Sequence, residues 1–391
     1  MTTNTSTPQR RTRRPAQRKK ANSKKLAFCI LRRTLLVIVT LVLVLAIALV
    51  LILNKIFNGP SQSAKETLTM TLLEASATKW VPKLFIGEAE VERIKNGGGE
   101  EYEELSDDDV DTSMITIDNS TSITGNTDEW KNHPDGIRIE RMEGPTFTAH
   151  IMITRDPSRV YLATSSLPFS KDKPGQRINN AIEKEGAVAA INAGAFYDNG
   201  TGSAVVGSVP EGLVISGGKV VWTQNETYTP EGFVGFNTDN ILIVDKSMTA
   251  DRAKELNIRD GCGFGPVLIK NGEINEVEYN NPSGYNPRTA IGQRADGAVI
   301  FVCIDGRQAG SLGGTYKDVI DIMVKYGAVN ACNLDGGSSS VMLYRTTYSY
   351  AIDNKTTLAG DGSVVMINNY SLLQEQPRRM PTFYMVRPAQ D

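Results

Sequence analysis

The run NLDGGSSSVM, Asn333 to Met342, sets one carboxylate beside two glycines and three hydroxyls, between the apolar stretches YGAVNAC and VMLY. Flanks of that kind read as buried strands, so the polar cluster is a turn between core elements. Gly336 and Gly337 permit positive φ and close backbone approach, and N–H groups with the hydroxyls of Ser338 and Ser339 can converge on an anion beside Asp335. Three other stretches couple a polar residue to the end of an apolar run: AINAGAF with Asn192, NPRTAIG with Arg288, and VCIDGRQAGSLGGT with Asp305 and Arg307. Strand ends feeding Gly-rich turns are where a rigid sheet holds polar groups around a ligand, and convergence of the four is the expectation.

Each stretch also has a plainer reading. Arg288 can grip a phosphate with two parallel hydrogen bonds, or make an ordinary ion pair at a strand edge. Asn192 is a buried amide that suits a ligand or a structural turn. GSLGGT opens a helix whose free N–H groups suit an anion, or are simply capped by Thr315. It is not a nucleotide P-loop, because no lysine follows the glycines, and it is not a dinucleotide fingerprint. The two histidines, His133 and His150, give no zinc pattern and no expectation of a Cys–His pair.

The elements that must position these residues begin near His133. Short strands alternate there with Gly, Pro, Asn and Asp turns: TFTAHIMI, RVYLAT, AVAAIN, GLVIS, KVVW, GFVGF, ILIV, PVLI, TAIGQ, AVIFVCI, VNACNL and SVML. Two amphipathic helices interrupt them, GQRINNAIEKEG ending at Gly186 and GTYKDVIDIMVKYG ending at Gly327, and each leads into an apolar strand. The fold class is therefore α+β: a large, mainly mixed β-sheet core with a few packed helices, over residues 133–391.

Ahead of it the 391-residue chain is strongly asymmetric in charge. Residues 1–33 hold eleven Lys or Arg and no acid, so the remaining 31 basic residues face all 44 acidic ones, a balance of −13. Residues 34–54 form an uncharged apolar run, long enough to cross a bilayer as a helix, with no obvious cleavage site after it. The basic flank places the N-terminus in the cytoplasm and everything beyond the span outside a plasma membrane. Lipid is the expected partner of the span and the tail, and nucleic acid is not. Residues 55–132 read as a stalk and a flexible acidic linker, since EEYEELSDDDVD lacks the ligand order of a calcium loop. Cys29 marks the inner membrane edge; Cys262, Cys303 and Cys332 are an odd set outside and are expected as buried free thiols, with one pairing left open.

The combination of NLDGGSSSVM, PRTAIG, INAGAFY, GFGPVLI and IDGR, over roughly Gly144 to Pro388, is similar to the phosphodiester glycosidase family. That family includes the enzyme that uncovers mannose 6-phosphate by removing N-acetylglucosamine from a phosphodiester, and many bacterial envelope proteins. The resemblance implies that Asn192, Arg288, Asp305, Asn333, Asp335, Gly336, Gly337 and Ser338 line the pocket. The family often has a glycine and an aromatic where this chain has Ala193 and Ala195, and a third glycine in place of Ser338, departures that bear on substrate shape.

The chemistry agrees. Breaking the C1–O bond of a sugar-1-phosphodiester expels a phosphomonoester whose last proton has a pKa of about 6, so it needs little protonation. An arginine and a nest of N–H groups can stabilise it in place of a raised-pKa acid. Asp335 would activate water or shield the oxocarbenium-like centre, with Asp305 orienting it or sharing the acid–base work, and Asn333 joins them in the catalytic set. The substrate expected is an envelope phosphosugar or glycopolymer. No cofactor is required, although Asp305 and Asp335 could share calcium or magnesium. Two alternatives stand beside this hydrolase: a wall-glycopolymer phosphotransferase, which needs an Arg-rich pyrophosphate site, and a glycan-binding module without turnover.

Overall fold

The computed structural model describes residues 15–74, 77–97, 102–117, 128–197, 207–224, 232–280, 283–353, 356–370 and 376–389. Two compact units divide the chain, Met1–Gln62 and Ser63–Asp391. The first is dominated by a 43-residue helix, Pro15–Phe57. Its part from Ala27 to Phe57 is long and apolar enough to cross a membrane, with the side chains of residues 27–52 exposed and Phe57 buried. The Thr40 hydroxyl inside that stretch is satisfied by the Leu36 carbonyl at 2.9 Å, as a span in hydrocarbon requires.

The second unit is α+β. Its strands divide among three main sheets, and every described strand pairing is antiparallel. The largest runs Ile137–Glu143, Thr148–Thr154, Val299–Ile304, Arg288–Arg294, Ala328–Leu334, Val267–Lys270 and Glu273–Ile274 across the sheet. Both of its faces are covered, which is why VIFVCI is apolar throughout. Ile300, Val302 and Ile304 face the helix Tyr316–Lys325 with its Val319, Ile320, Ile322 and Met323, whereas Val299, Phe301 and Cys303 face the central core. That core also takes Phe233, Val234 and Phe236 from a second, five-stranded sheet. A third sheet pairs Met342–Arg345, Ala189–Asn192 and Thr382–Val386 through its middle. Thr382–Val386, unassigned from sequence, is fully buried there.

The two expected helices end as their glycines require. Gly186 follows Ile178–Glu185 at φ 62°, and Gly327 follows Tyr316–Lys325 at φ 81°. Thr315 and Asp318 close the second helix's N-terminus as a capping box, so the plain capping reading describes GSLGGT.

The segment expected as a stalk and flexible linker differs over its described residues, with 75–76, 98–101 and 118–127 lying outside them. The helices Gln62–Leu73 and Val81–Lys95 are clipped together by Lys65–Glu90 at 2.6 Å and Glu66–Arg93 at 3.2 Å. Residues 102–117 lie as a strap along the domain, with Leu105, Val110 and Ile115 in the central core. Of the acids in this run, Glu104 and Asp107 meet Lys246 and Asp109 meets Arg252 while staying largely exposed, and Lys270 Nζ donates to the Ser106 carbonyl at 3.1 Å. Three apolar side chains spaced among acids are too sparse to show a helix or strand period, yet enough to dock an extended strap.

Candidate active site

Register brings the sequence-predicted residues to one end of the large sheet. Arg288, first in its strand, pairs with Ile304 on one side, and its neighbour Thr289 pairs with Leu334 on the other. Asp305 and Asp335, each one residue past those partners, therefore leave the sheet beside Arg288. Asn192 arrives from the third sheet and ties it to the large one. Its Nδ2 donates to the Asp335 carbonyl at 2.5 Å, while its Oδ1 accepts from the Thr289 hydroxyl at 3.0 Å and from Val341 N–H at 3.1 Å. Asp335 N–H donates to the Ala193 carbonyl at 3.0 Å. The carboxylate thus starts from a main chain held by two sheets.

The glycines are needed for two different reasons. A Cβ on Gly336 would lie 2.8 Å from the Pro287 carbonyl oxygen, and Gly337 has φ +61°. Gly337 N–H donates to that same carbonyl at 2.8 Å. The backbone nest suggested by the sequence is thereby partly spent on the fold, and cations supply the positive charge at the turn. Arg307, at φ 57°, is exposed, and its guanidinium lies about where a side chain on Gly337 would touch it, 3.4 Å away. Desolvation lowers its pKa from the ordinary value, and the nearby Glu74 carboxylate acts in the opposite sense. Arg378 meets the next residue of the turn, donating through Nη1 to Ser338 Oγ at 3.2 Å and lying over the Phe196 ring at 4.8 Å. Tyr370 donates to the Ser338 carbonyl at 2.5 Å. Asp335, Gly336, Gly337 and Ser338 are half-buried, as a site open to a ligand from one side must be.

Other predicted residues lie behind this surface. Asp305 has no exposed side-chain area; its Oδ2 is 3.0 Å from His150 Nε2, and its Oδ1 is buried without a partner. Arg288 is 4% exposed, too enclosed to meet a ligand in this arrangement. It donates to the Gly314 carbonyl at 3.1 Å and the Gly284 carbonyl at 2.8 Å, pairs with Glu74 at 2.9 Å and stacks on Tyr316 at 4.2 Å. Burial pushes the Tyr316 hydroxyl up to about 12, so it stays neutral beside that charge. Asn333 donates to the Gly265 carbonyl at 3.0 Å with its Oδ1 buried and unpartnered, and the Ser339 hydroxyl is likewise buried and unpartnered. Among the described residues no group of three or more His, Cys, Asp or Glu is arranged to hold a metal ion. The thiols of Cys262, Cys303 and Cys332 are free and buried.

Phe196 lies inside AINAGAF, but Arg378, Tyr370, His150 and Glu74 carry no local motif. Of these four His150 alone left a trace, as the one polar side chain in the apolar half of TFTAHIMI, paired with Cys303 across the sheet.

The family model described as phosphodiester glycosidase matches residues 185–387. The chain is 27% identical over 230 residues to the SPbeta prophage-derived uncharacterized protein YomE of Bacillus subtilis (strain 168), covering 56% of this chain and 31% of that protein. It thus spans about a third of the curated relative's length. Among solved structures it is similar to the catalytic domain of zebrafish N-acetylglucosamine-1-phosphodiester alpha-N-acetylglucosaminidase, auto-inhibited by its pro-peptide. That match has 20% identity, 64% of this chain, 82% of that chain and a TM-score of 0.47. A hypothetical protein from Synechocystis matches at 17% identity, 64% and 62% coverage and a TM-score of 0.40.

Proposed function

The chain belongs to the phosphodiester glycosidase family, and from that membership we propose that it hydrolyses a sugar-1-phosphodiester at the sugar C1–O bond. The observation that carries the reading is a half-buried carboxylate, Asp335, that opens a turn whose Gly337 lies against the Arg307 guanidinium and whose Ser338 hydroxyl accepts from Arg378. A phosphomonoester leaves with little need of a proton, since its last pKa is about 6, and two guanidinium groups suit the charge it develops. Asp335 then acts at the sugar, taking a proton from the attacking water or facing the positive charge that grows at C1. The half-buried turn gives Ser338 access to either substrate group. Asp305, enclosed with His150, acts from behind by holding the strand end.

The substrate class proposed is a phosphodiester-linked N-acetylglucosamine-type sugar of envelope glycopolymers or exopolysaccharide. The apolar helix supports a single-pass anchor, and the eleven basic residues before its uncharged run 34–54 support a cytoplasmic N-terminus with the second unit outside.

The test uses the full chain in detergent on an N-acetylglucosamine-1-phosphodiester, scoring free sugar and free phosphomonoester. Wild type is expected to release both, and Asp335→Asn to lose at least about a hundredfold in kcat with substrate affinity retained. Equal activity in the variant would remove Asp335 from the chemistry. The same assay on fractionated cells is expected to find activity in membranes and, after deletion of residues 1–57, in the soluble fraction; soluble activity from the intact chain contradicts the anchor.

A further inference from the structure

The helix Gln62–Leu73 lies far ahead of the family-matched residues, yet the chain at its C-terminal end is built into the loop that supports the site. Contact there is backbone to backbone, since a Cβ on Gly284 would lie 2.4 Å from Thr71 Cα. Tyr285 N–H donates to Thr71 Oγ1 at 3.0 Å. Glu74 then receives three donors from the same loop: Gly284 N–H at 3.0 Å, Asn286 Nδ2 at 2.6 Å and Arg288 Nη2 at 2.9 Å.

The Asn286 bond has a directional consequence. With its amide nitrogen committed to Glu74, its Oδ1 must point the other way, and there it accepts from Arg307 Nη2 at 2.9 Å. Arg307 is the cation packed against Gly337 of the catalytic turn. A carboxylate two bonds removed from the turn therefore sets the amide that sets the arginine.

We propose that Glu74 is a positioning residue of this site, acting through Asn286 on Arg307 so that the guanidinium is held ready for the substrate phosphate. The inference rests on the reading of the Asp335 turn as a phosphodiester site. A carboxylate lying on an arginine can also act as a plug, and the geometry argues against that here. The arginine that Glu74 pairs with is Arg288, 4% exposed, bonded to two carbonyls and stacked on Tyr316, so its removal opens no cation to substrate. Removal leaves a buried charge unpaired and Asn286 free to flip.

The experiment compares wild type, Glu74→Gln and Glu74→Ala in the full chain, each with and without Arg307→Ala. It measures kcat and KM on an N-acetylglucosamine-1-phosphodiester, inorganic phosphate affinity by calorimetry, and thermal unfolding. Glu74→Ala is expected to weaken phosphate affinity and raise KM by about tenfold, with kcat changing less. Glu74→Gln keeps an acceptor for Asn286 and is expected to lose about threefold; it carries the test if the alanine variant does not fold. In the Arg307→Ala background neither substitution should change phosphate affinity further. Fully additive losses would overturn the proposal in favour of a merely structural role, and a gain of activity on removing Glu74 would overturn it in favour of a cover. Phosphate binding that depends on Glu74 in a protein releasing no sugar would sink the hydrolase reading and leave this one standing. A wild type that binds no phosphate overturns both.

Discussion

Asn192 shows how much of this site is made by residues that do no chemistry. Its side chain satisfies three groups that otherwise lie in the interior: the Asp335 carbonyl, the Thr289 hydroxyl and Val341 N–H. Each buried group left unpaired costs about 1–3 kcal/mol, and cooperating bonds in one amide do not add fully. Asn192→Ala is therefore expected to lower stability by about 2–4 kcal/mol and to reduce activity with it. Denaturant unfolding checks the first; an unchanged midpoint would mean the amide is not the tie between the sheets. At this scale the sequence was a good guide to the turn and a poor one to its neighbours. Asp335, Gly336 and Gly337 are legible because adjacent residues of unlike type demand a local explanation. Arg378 and Glu74 are not, because only tertiary structure brings Arg378 to Ser338 and Glu74 to Asn286 and Arg288. Asp305 and Arg288 were legible as strand-end polar groups, but their burial depends on His150 and Glu74, which lie on other elements.

The strap 102–117 decides between two forces at the scale of an element. Its ion pairs with Lys246 and Arg252 are largely exposed and are worth roughly 0–1 kcal/mol each, whereas burying Leu105, Val110 and Ile115 is worth about 1.5–3 kcal/mol apiece. Burial wins. The hydrogen bond from Arg252 lowers the Asp109 pKa from its ordinary value, so its contribution is complete above the unfolded carboxylate range and lost only as pH falls through the lower, folded value. The strap should accordingly stay docked at pH about 5 and in high salt. Limited proteolysis tests this ranking: Leu105→Ala with Val110→Ala should expose the strap to cleavage, and Arg252→Ala should not. Faster cleavage of Arg252→Ala would reverse it. The strands and both amphipathic helices were readable from period and turn chemistry. The strap was not, since its composition is that of a solvated linker and its docking comes from three residues without a period.

Over the whole molecule, a long apolar helix precedes a unit whose functional residues are gathered from residue 74 to residue 378. The segment between helix and family-matched domain carries Glu74 and the strap, so the proposed enzyme needs more of its chain than residues 185–387. The central claim concerns which bond breaks. It is tested most directly by hydrolysing an N-acetylglucosamine-1-phosphodiester with the full chain in heavy-oxygen water and weighing both products. Cleavage at C1–O, as proposed, puts the heavy oxygen on the sugar and none on the phosphomonoester. Label on the phosphate would instead mean attack at phosphorus, and would contradict the glycosidase account.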